Sequence, residues 1–400
     1  MSHSDKGRAQ LGDSLLKQVS LPALVLHQQA LNHNLCWMQN YAEAHHAQLA
    51  PHGKTTMTPA LFRRQLEQGA WGITLATAVQ SSVAYEHGVR RILMANQLVG
   101  EANMAIIADL LTQGGLEFHC LVENPDNVRA LDDYFGAQGL SLNVMLEIGV
   151  SHGRCGCRTE QQMLDVLAAI EASPALVLTG IEGYEGVIHG EQPESAIQAF
   201  AAYLVETAVS LQGQGKFGIP HPYITASGSA WYDLIAGEFV RLQADTLFTP
   251  LLRPGCYLVH DHGLYKVAQA GVLHRHPEME SALLPAMEVW AHIQSLPEEG
   301  CAIIALGKRD VAFDAGYPKA LRHYPLGEGQ RDAVVFGEEY QITAMMDQHA
   351  FLQIPAKHDL RVGDIIAFGA SHPCLTFDKW RQISLVDNDL NVIEIMPTFF

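Results

Sequence analysis

Long hydrophobic runs and basic clusters are both missing from this 400-residue sequence. No stretch approaches the roughly 18 consecutive apolar residues of a membrane span, and the polar opening MSHSDKGRAQLGDS lacks the apolar segment of a secretory leader. These absences set the expectation of a soluble cytoplasmic protein with no membrane partner. Basic residues number 25 against 43 acidic ones, for a formal net charge of -18, and no dense Lys/Arg run offsets the imbalance. A phosphate backbone is repelled on average by such a chain, so no nucleic-acid partner is expected. Cysteine is sparse. Cys36, Cys120, Cys155, Cys157, Cys256, Cys301 and Cys374 are an odd number scattered over a long chain, which makes a poor disulfide framework. Cys155 and Cys157, with only Gly156 between them, do not form the two-spacer redox motif. Free thiols in a reducing compartment are expected.

What is present is an ordinary globular composition, 48% hydrophobic and 17% charged, with enough length to bury a large core. From about residue 20, short apolar runs alternate with helical patterns, the rhythm of βα units around a parallel sheet. PALVLH reads as a strand. QLAPHGKT, WGITLAT, RRILMANQ, LEFHCLVEN, LNVMLEIGV, LVLTGIEGYEG, PYITASGS and TLFTPLLRPGCY then give eight strand-helix units. Ile197, Phe200, Ala201, Leu204, Ala208 and Leu211 make the best helical face. A (β/α)8 barrel over residues 20–275 is the natural inference, with a doubly wound open sheet as its competitor. After about residue 275, EVWAHIQSL, CAIIAL, DAVVFG, YQITAMM, DIIAFGA and WRQISLVDNDLNVIEIM are short β-type runs broken by turn residues. Residues 276–400 are therefore expected to form a mostly antiparallel β domain, with residues 1–19 packing on it and DND as a hairpin turn.

Chemistry in a barrel collects where the strands end, because eight loops converge there. The first barrel strand ends in His52 and Lys54, with no other charge nearby. A desolvated lysine can form a Schiff base with a carbonyl; a surface lysine in a βα loop is the plainer alternative. Ser227, Gly228 and Ser229 in ASGSAW follow a later strand and enter a helix, where N–H groups and hydroxyls can meet a phosphate. Gly255, Cys256 and Tyr257 in RPGCY can serve the same anion, or form only a Pro-Gly turn. Arg154, in the loop GVSHGRCG, offers a permanent cation, and Tyr184, in GIEGYEGV, a ring to pack near a flat cofactor or in the core. Near the chain end, GASHPCLTFDKW places His372 two positions before Cys374. If this segment is extended, the two point the same way and form a candidate metal pair, although two ligands alone cannot close a structural zinc site. His349, in MMDQHAF, is a candidate for orienting substrate or a structural histidine.

Taken in order, APHGKT, GRCG, GIEGYEG, ASGS, LRPGCY and SHPCLTFDKW resemble the D-serine dehydratase-like family, which also contains D-threonine aldolases and D-threo-3-hydroxyaspartate dehydratases. The resemblance runs from about residue 20 to 395. That family is similar to alanine racemase: a pyridoxal-phosphate barrel with a β domain, usually a homodimer, and a divalent metal beside the cofactor. The resemblance implies Lys54 as the Schiff-base lysine, with His52 also at the cofactor. It further implies that Arg154 and Tyr184 flank the cofactor, and that Ser227, Gly228, Ser229, Gly255, Cys256 and Tyr257 surround its phosphate. His372 and Cys374 would hold Zn2+ in an open site completed by water and substrate. Two positions depart from the family pattern, Ala50 for an arginine and Thr56 for a histidine, and Glu185 adds an acid that is expected to shape the pocket. The expected reaction is a zinc-dependent elimination of water from a D-3-hydroxy amino acid such as D-serine, D-threonine or D-threo-3-hydroxyaspartate. Because Cys374 is a soft ligand that favours zinc, a dehydratase is preferred to an aldolase. A racemase and a non-catalytic carrier of pyridoxal phosphate are the remaining alternatives.

Overall fold

The computed structural model describes residues 6–245, 247–326 and 333–400. Residues 1–5 of the segment expected to pack on the β domain lie outside the described residues, as do Thr246 of the eighth expected barrel strand and Asp332 of the DAVVFG run. The chain divides into two compact units. Strand β1 (Ala23–His27), the PALVLH segment, opens the stretch expected to be barrel but belongs to the other unit.

Met38–Lys54 and Leu61–Gly255 form the barrel unit. Its strands are β2 (Gln48–Leu49), β3 (Ile73–Leu75), β4 (Arg91–Gln97), β5 (Glu117–Val122), β6 (Leu142–Ile148), β7 (Leu176–Gly183), β8 (Tyr223–Ala226) and β9 (Thr249–Leu252). All pairings are parallel, in the order β2-β9-β8-β7-β6-β5-β4-β3. The sheet then returns on itself: the Trp71 and Thr74 amides donate to the Leu49 and Pro51 carbonyls, and His52 bridges Thr74 in parallel. That closure decides against the open sheet. Strands buried on both faces need continuous apolar runs, and Ala50, Trp71, Leu93, Leu121, Met145 and Leu251 cluster inside. Helix starts follow local chemistry. Thr159 and Gln162 form a capping box before the helix Glu160–Glu171, and the Asn124 side chain accepts from the Asn127 amide where Pro125 opens another. Along Pro193–Gly213 the six apolar residues of the expected face are all buried.

The second unit comprises Met1–Trp37, Thr55–Ala60 and Cys256–Phe400. Its later strands are β10 (Met287–Glu298), β11 (Cys301–Ile304), β12 (Lys319–Tyr324), β13 (Val334–Val335), β14 (Gln341–Met345), β15 (Ala350–Gln353), β16 (Ile365–Gly369), β17 (Gln382–Val386) and β18 (Val392–Pro397). Strands β10, β11, β15, β14, β12 and β16 pair in a closed antiparallel ring, and β13 pairs with β12. β1 joins β10 to β17, and β17 turns into β18. The DND turn is real: the Asp387 carboxylate accepts the Asp389 and Asn391 amides at 3.0 and 2.8 Å. Ala9, Leu15 and Val19 pack with Trp290, Tyr324, Ile365 and Val392, so the N-terminal segment is part of this core. Among the described residues no helix is long and apolar enough to cross a membrane.

One carboxylate ties three elements of this unit. Glu288 on β10 is buried, with His27 Nε2 at 2.8 Å, Trp290 Nε1 at 3.0 Å, and Arg322 Nη2 2.6 Å from both oxygens. Burial alone raises its pKa, but His27 and Arg322 outweigh that and hold it at about 2. A depressed carboxyl contributes stability above its unfolded pKa and loses it as pH falls toward the folded one. Glu288→Gln is expected to lower the unfolding free energy at pH 7 by roughly 2–4 kcal/mol. It should also flatten the loss of stability between pH 4.5 and 2, as denaturant titrations across that range will show.

Candidate active site

The C-terminal strand ends of the barrel unit gather its unusual charges. Behind β2 the chain makes a single 3-10 turn, Gly53–Thr55, that holds Lys54. Gly53 is required there, because a Cβ would sit 2.8 Å from both Ile73 and Phe62. The strand itself is shorter than QLAPHGKT predicts, since this turn replaces its end. The neighbouring His52 has an enclosed Nδ1 with no partner, and burial, Lys54, Arg253 and Arg154 together drive its pKa well below the ordinary value. Its imidazole is therefore neutral.

Arg253, just after β9, is buried against Glu182 of β7 and also donates to the Gly183 carbonyl at 3.0 Å. Arg253 Nε and Glu182 Oε2 are enclosed and unpartnered. Glu147 ends β6 beside Gln97, whose amide donates to it; burial and then the charge of Glu182 push its carboxyl up to about 8. Glu123, Glu147 and Cys155 bring their donor atoms within 4.8 Å of one another. This trio is already committed, since Glu123 accepts from the Gly156 amide and faces Arg158.

Arg154 and Tyr184 come together, the guanidinium 4.5 Å from the ring centroid. The Ser/Gly loop differs from expectation. The Ser227 and Gly228 amides donate to the buried Glu185 carboxylate at 3.0 and 2.6 Å, and burial raises the pKa of that acid. Ser227 Oγ donates to the Gly228 carbonyl, and the Gly255 amide to Ser229 Oγ at 3.1 Å. These donors thus find acceptors within the protein, with the Glu185 carboxylate standing where an anion was expected. A Cβ on Gly228 would approach the Tyr184 ring to 3.2 Å, so a side chain there would press on that ring.

In the second unit, Cys256 and Tyr257 are buried, and His349 lies exposed in the turn between β14 and β15. The segment around the metal pair is helical, not extended: Pro373 has φ -64° and ψ -49°, and Cys374–Phe377 forms a short helix. Proline at a helix start is the physical reason, since its fixed φ already suits the first turn. The two side chains still meet. Cys374 is pulled down to about 4 by hydrogen bonds with Cys256, His372 and Thr55 against the effect of burial, while His372 rises to about 9 through Cys374 and Asp314. Asp314 Oδ2 lies 2.7 Å from His372 Nδ1, which directs Nε2 outward as in carboxylate-histidine-metal arrangements. A thiolate, an imidazole and a supporting carboxylate are a donor set that fits zinc. All seven cysteines are free.

A parallel eight-stranded barrel with a strand-end lysine, joined to an antiparallel β unit, defines the class of fold type III pyridoxal-phosphate enzymes. Residues 26–259 match the alanine racemase N-terminal domain and residues 286–386 the putative serine dehydratase domain. The chain belongs to the alanine racemase N-terminal domain family, in the branch shared with D-threonine aldolases and D-threo-3-hydroxyaspartate dehydratases. D-Threonine aldolase from Arthrobacter sp. is 26% identical over 375 residues, covering 92% of this chain and 89% of that protein. The fold matches the crystal structure of D-threonine aldolase from Filomicrobium marinum with a TM-score of 0.81 at 22% identity, over 98% of both chains. It matches D-threo-3-hydroxyaspartate dehydratase from Delftia sp. HT23 at 0.77 and 19% identity, over 97% of this chain and 99% of that one. The barrel end fits pyridoxal phosphate: beside Lys54, enclosed His52, Arg253 and Glu182 atoms have polar capacity with no partner in the protein.

The raised carboxyl of Glu147 has a measurable consequence. With a folded pKa above the unfolded value, the unfolded chain ionises first, so stability falls as pH rises from 4.5 toward 8. Glu147→Gln removes that penalty. Thermal unfolding at pH 5 and pH 8 should differ less in the variant than in the parent, with the variant gaining on the parent at the higher pH.

Proposed function

We propose that this protein is a pyridoxal-phosphate- and zinc-dependent lyase that removes water from a D-3-hydroxy amino acid, giving a 2-oxo acid and ammonia. D-Serine, D-threonine and D-threo-3-hydroxyaspartate are the candidate substrates, and a homodimer is the proposed assembly. The pairing of His372 with a thiolate at Cys374 carries the reading, because a soft sulfur ligand selects zinc over magnesium or manganese. A D-threo-3-hydroxyaspartate dehydratase offers a parallel. It has been solved as variants at a histidine and at a cysteine two positions later, the cysteine variant in a metal-free form.

When bound, pyridoxal phosphate supplies an electron sink for charge developing at Cα, and zinc a Lewis acid for the β-hydroxyl. The chain's residues do the rest. Lys54 would anchor the cofactor, and its amine is the group placed to take a proton from Cα. Arg154, fixed on the Tyr184 ring, would offer a permanent cation to a bound cofactor. His52 stays neutral and adds no positive charge to a face that already carries Lys54, Arg154 and Arg253. His372 and Cys374 hold the metal, and Asp314 fixes the imidazole that binds it.

A second reading, retro-aldol cleavage to glycine and an aldehyde, is favoured by the Arthrobacter aldolase, whose similarity spans most of both chains. Product analysis separates the two. Purified protein supplied with pyridoxal phosphate and zinc is offered each D-amino acid separately, beside a chelated control. The dehydratase reading expects a 2-oxo acid and ammonia that vanish on chelation; glycine and an aldehyde would replace it with the aldolase. Lys54→Ala should abolish turnover and the visible absorption of the bound cofactor. Cys374→Asp should lose zinc and elimination, and unchanged zinc content would remove Cys374 from the ligand set.

A further inference from the structure

We infer that Cys256 is a third protein ligand of the metal held by His372 and Cys374, making a Cys2His site with one position open to substrate. The inference rests on the proposed metal assignment and deepens it. Cys256 Sγ lies 3.7 Å from Cys374 Sγ. Two sulfurs sharing a tetrahedral zinc at about 2.3 Å each stand about 3.8 Å apart, so the pair is already at the edge length such an ion requires. No disulfide joins them. Thr55 Oγ1 is 3.5 Å from Cys374 Sγ and 3.9 Å from Cys256 Sγ, so one hydroxyl contacts both thiols.

Charge supports the third ligand. Cys256 is 3% exposed and Thr55 2%, and an ion in such surroundings is costly unless it is neutralised. Zinc with one thiolate and a neutral histidine carries one positive charge; a second thiolate cancels it, the Cys256 thiol proton and the His372 imidazolium proton both passing to solvent as the metal binds. Cys374 is the shared vertex, in contact with Cys256 on one side and His372 on the other. Among the described residues only Glu123, Glu147 and Cys155 have three such donor atoms mutually within 4.8 Å. Binding by Cys256 and His372 together therefore draws one of those side chains inward about Cys374.

Cobalt(II) tests the inference without reference to turnover, because sulfur-to-cobalt charge transfer grows with the number of bound thiolates. The full chain is loaded with cobalt under reducing, anaerobic conditions, and zinc affinity is measured by competition with a chromophoric chelator. Cys256→Ser and Cys256→Ala are compared with Cys374→Ser, and circular dichroism identifies the variants that fold. The expected result is a charge-transfer band about half as intense per cobalt in either Cys256 variant, with zinc bound about tenfold or more weakly. If the Cys256 variants keep the full band and affinity while Cys374→Ser loses them, Cys256 is no ligand and the His372–Cys374 assignment stands. A parent protein that shows no such band overturns both.

Discussion

Burying a guanidinium at the end of a parallel strand obliges a neighbouring strand to supply negative charge, and Arg253 takes it from Glu182. Most of the barrel's electrostatics follow from that pair. Burial, and after it the charge of Glu182, raises the carboxyl of Glu147 on the next strand to about 8. Burial first, then Lys54, Arg253 and Arg154, lower the pKa of His52. Glu185, which also feels Arg253, spends both oxygens on the Ser227 and Gly228 amides. The strand-end face thus sets several acids and a histidine in neutral or internally satisfied forms around a few fixed cations. Such an arrangement would suit a charged aromatic cofactor met by a small number of committed groups.

The barrel was legible because its strands are buried on both faces and must be written as apolar runs; each of the eight expected runs contains one of the strands β2 to β9. The unit to which β1 belongs was not legible, since PALVLH has the same texture whether its neighbours are parallel or antiparallel. Its partners are β10 and β17, hundreds of residues away. At the candidate site, Lys54, Arg154 and Tyr184 stood out by type and position. Glu147, Glu182 and Arg253 did not, although each is a lone charge inside or directly after an apolar run, which was the available signal. The closing of Glu185 on the Ser227–Gly228 amides depends on a contact across more than forty residues that no local pattern contains. Asp314 escaped for the same reason.

Around the metal pair, local and long-range chemistry divide the work. Pro373 sets the helical turn that follows His372, so the pair is brought together by the start of a helix instead of by strand alternation. The carboxylate that orients the histidine and the sulfur that flanks the cysteine come from Asp314 and Cys256, distant in sequence. A His-x-Cys spacing therefore identifies candidates, but the tertiary fold determines how many donors an ion meets.

Donor number bears on the reaction. Each thiolate bound to zinc gives up electron density, so a site with two sulfurs is a weaker Lewis acid than one with a single sulfur and two waters. Retro-aldol cleavage needs the β-hydroxyl as an alkoxide, which a more positive metal favours by lowering the pKa of the bound oxygen. Elimination needs that oxygen activated but not ionised, so a tempered Lewis acid that withdraws electron density while leaving the proton in place suits its departure. A charge-neutral Cys2His centre therefore leans toward carbon-oxygen cleavage. A carboxylate in place of Cys374 would move the balance toward the alkoxide by replacing a soft donor with a hard one. Were a metal bound beside His372, its soft donors would bear both on which ion is held and on which bond at the β-carbon breaks.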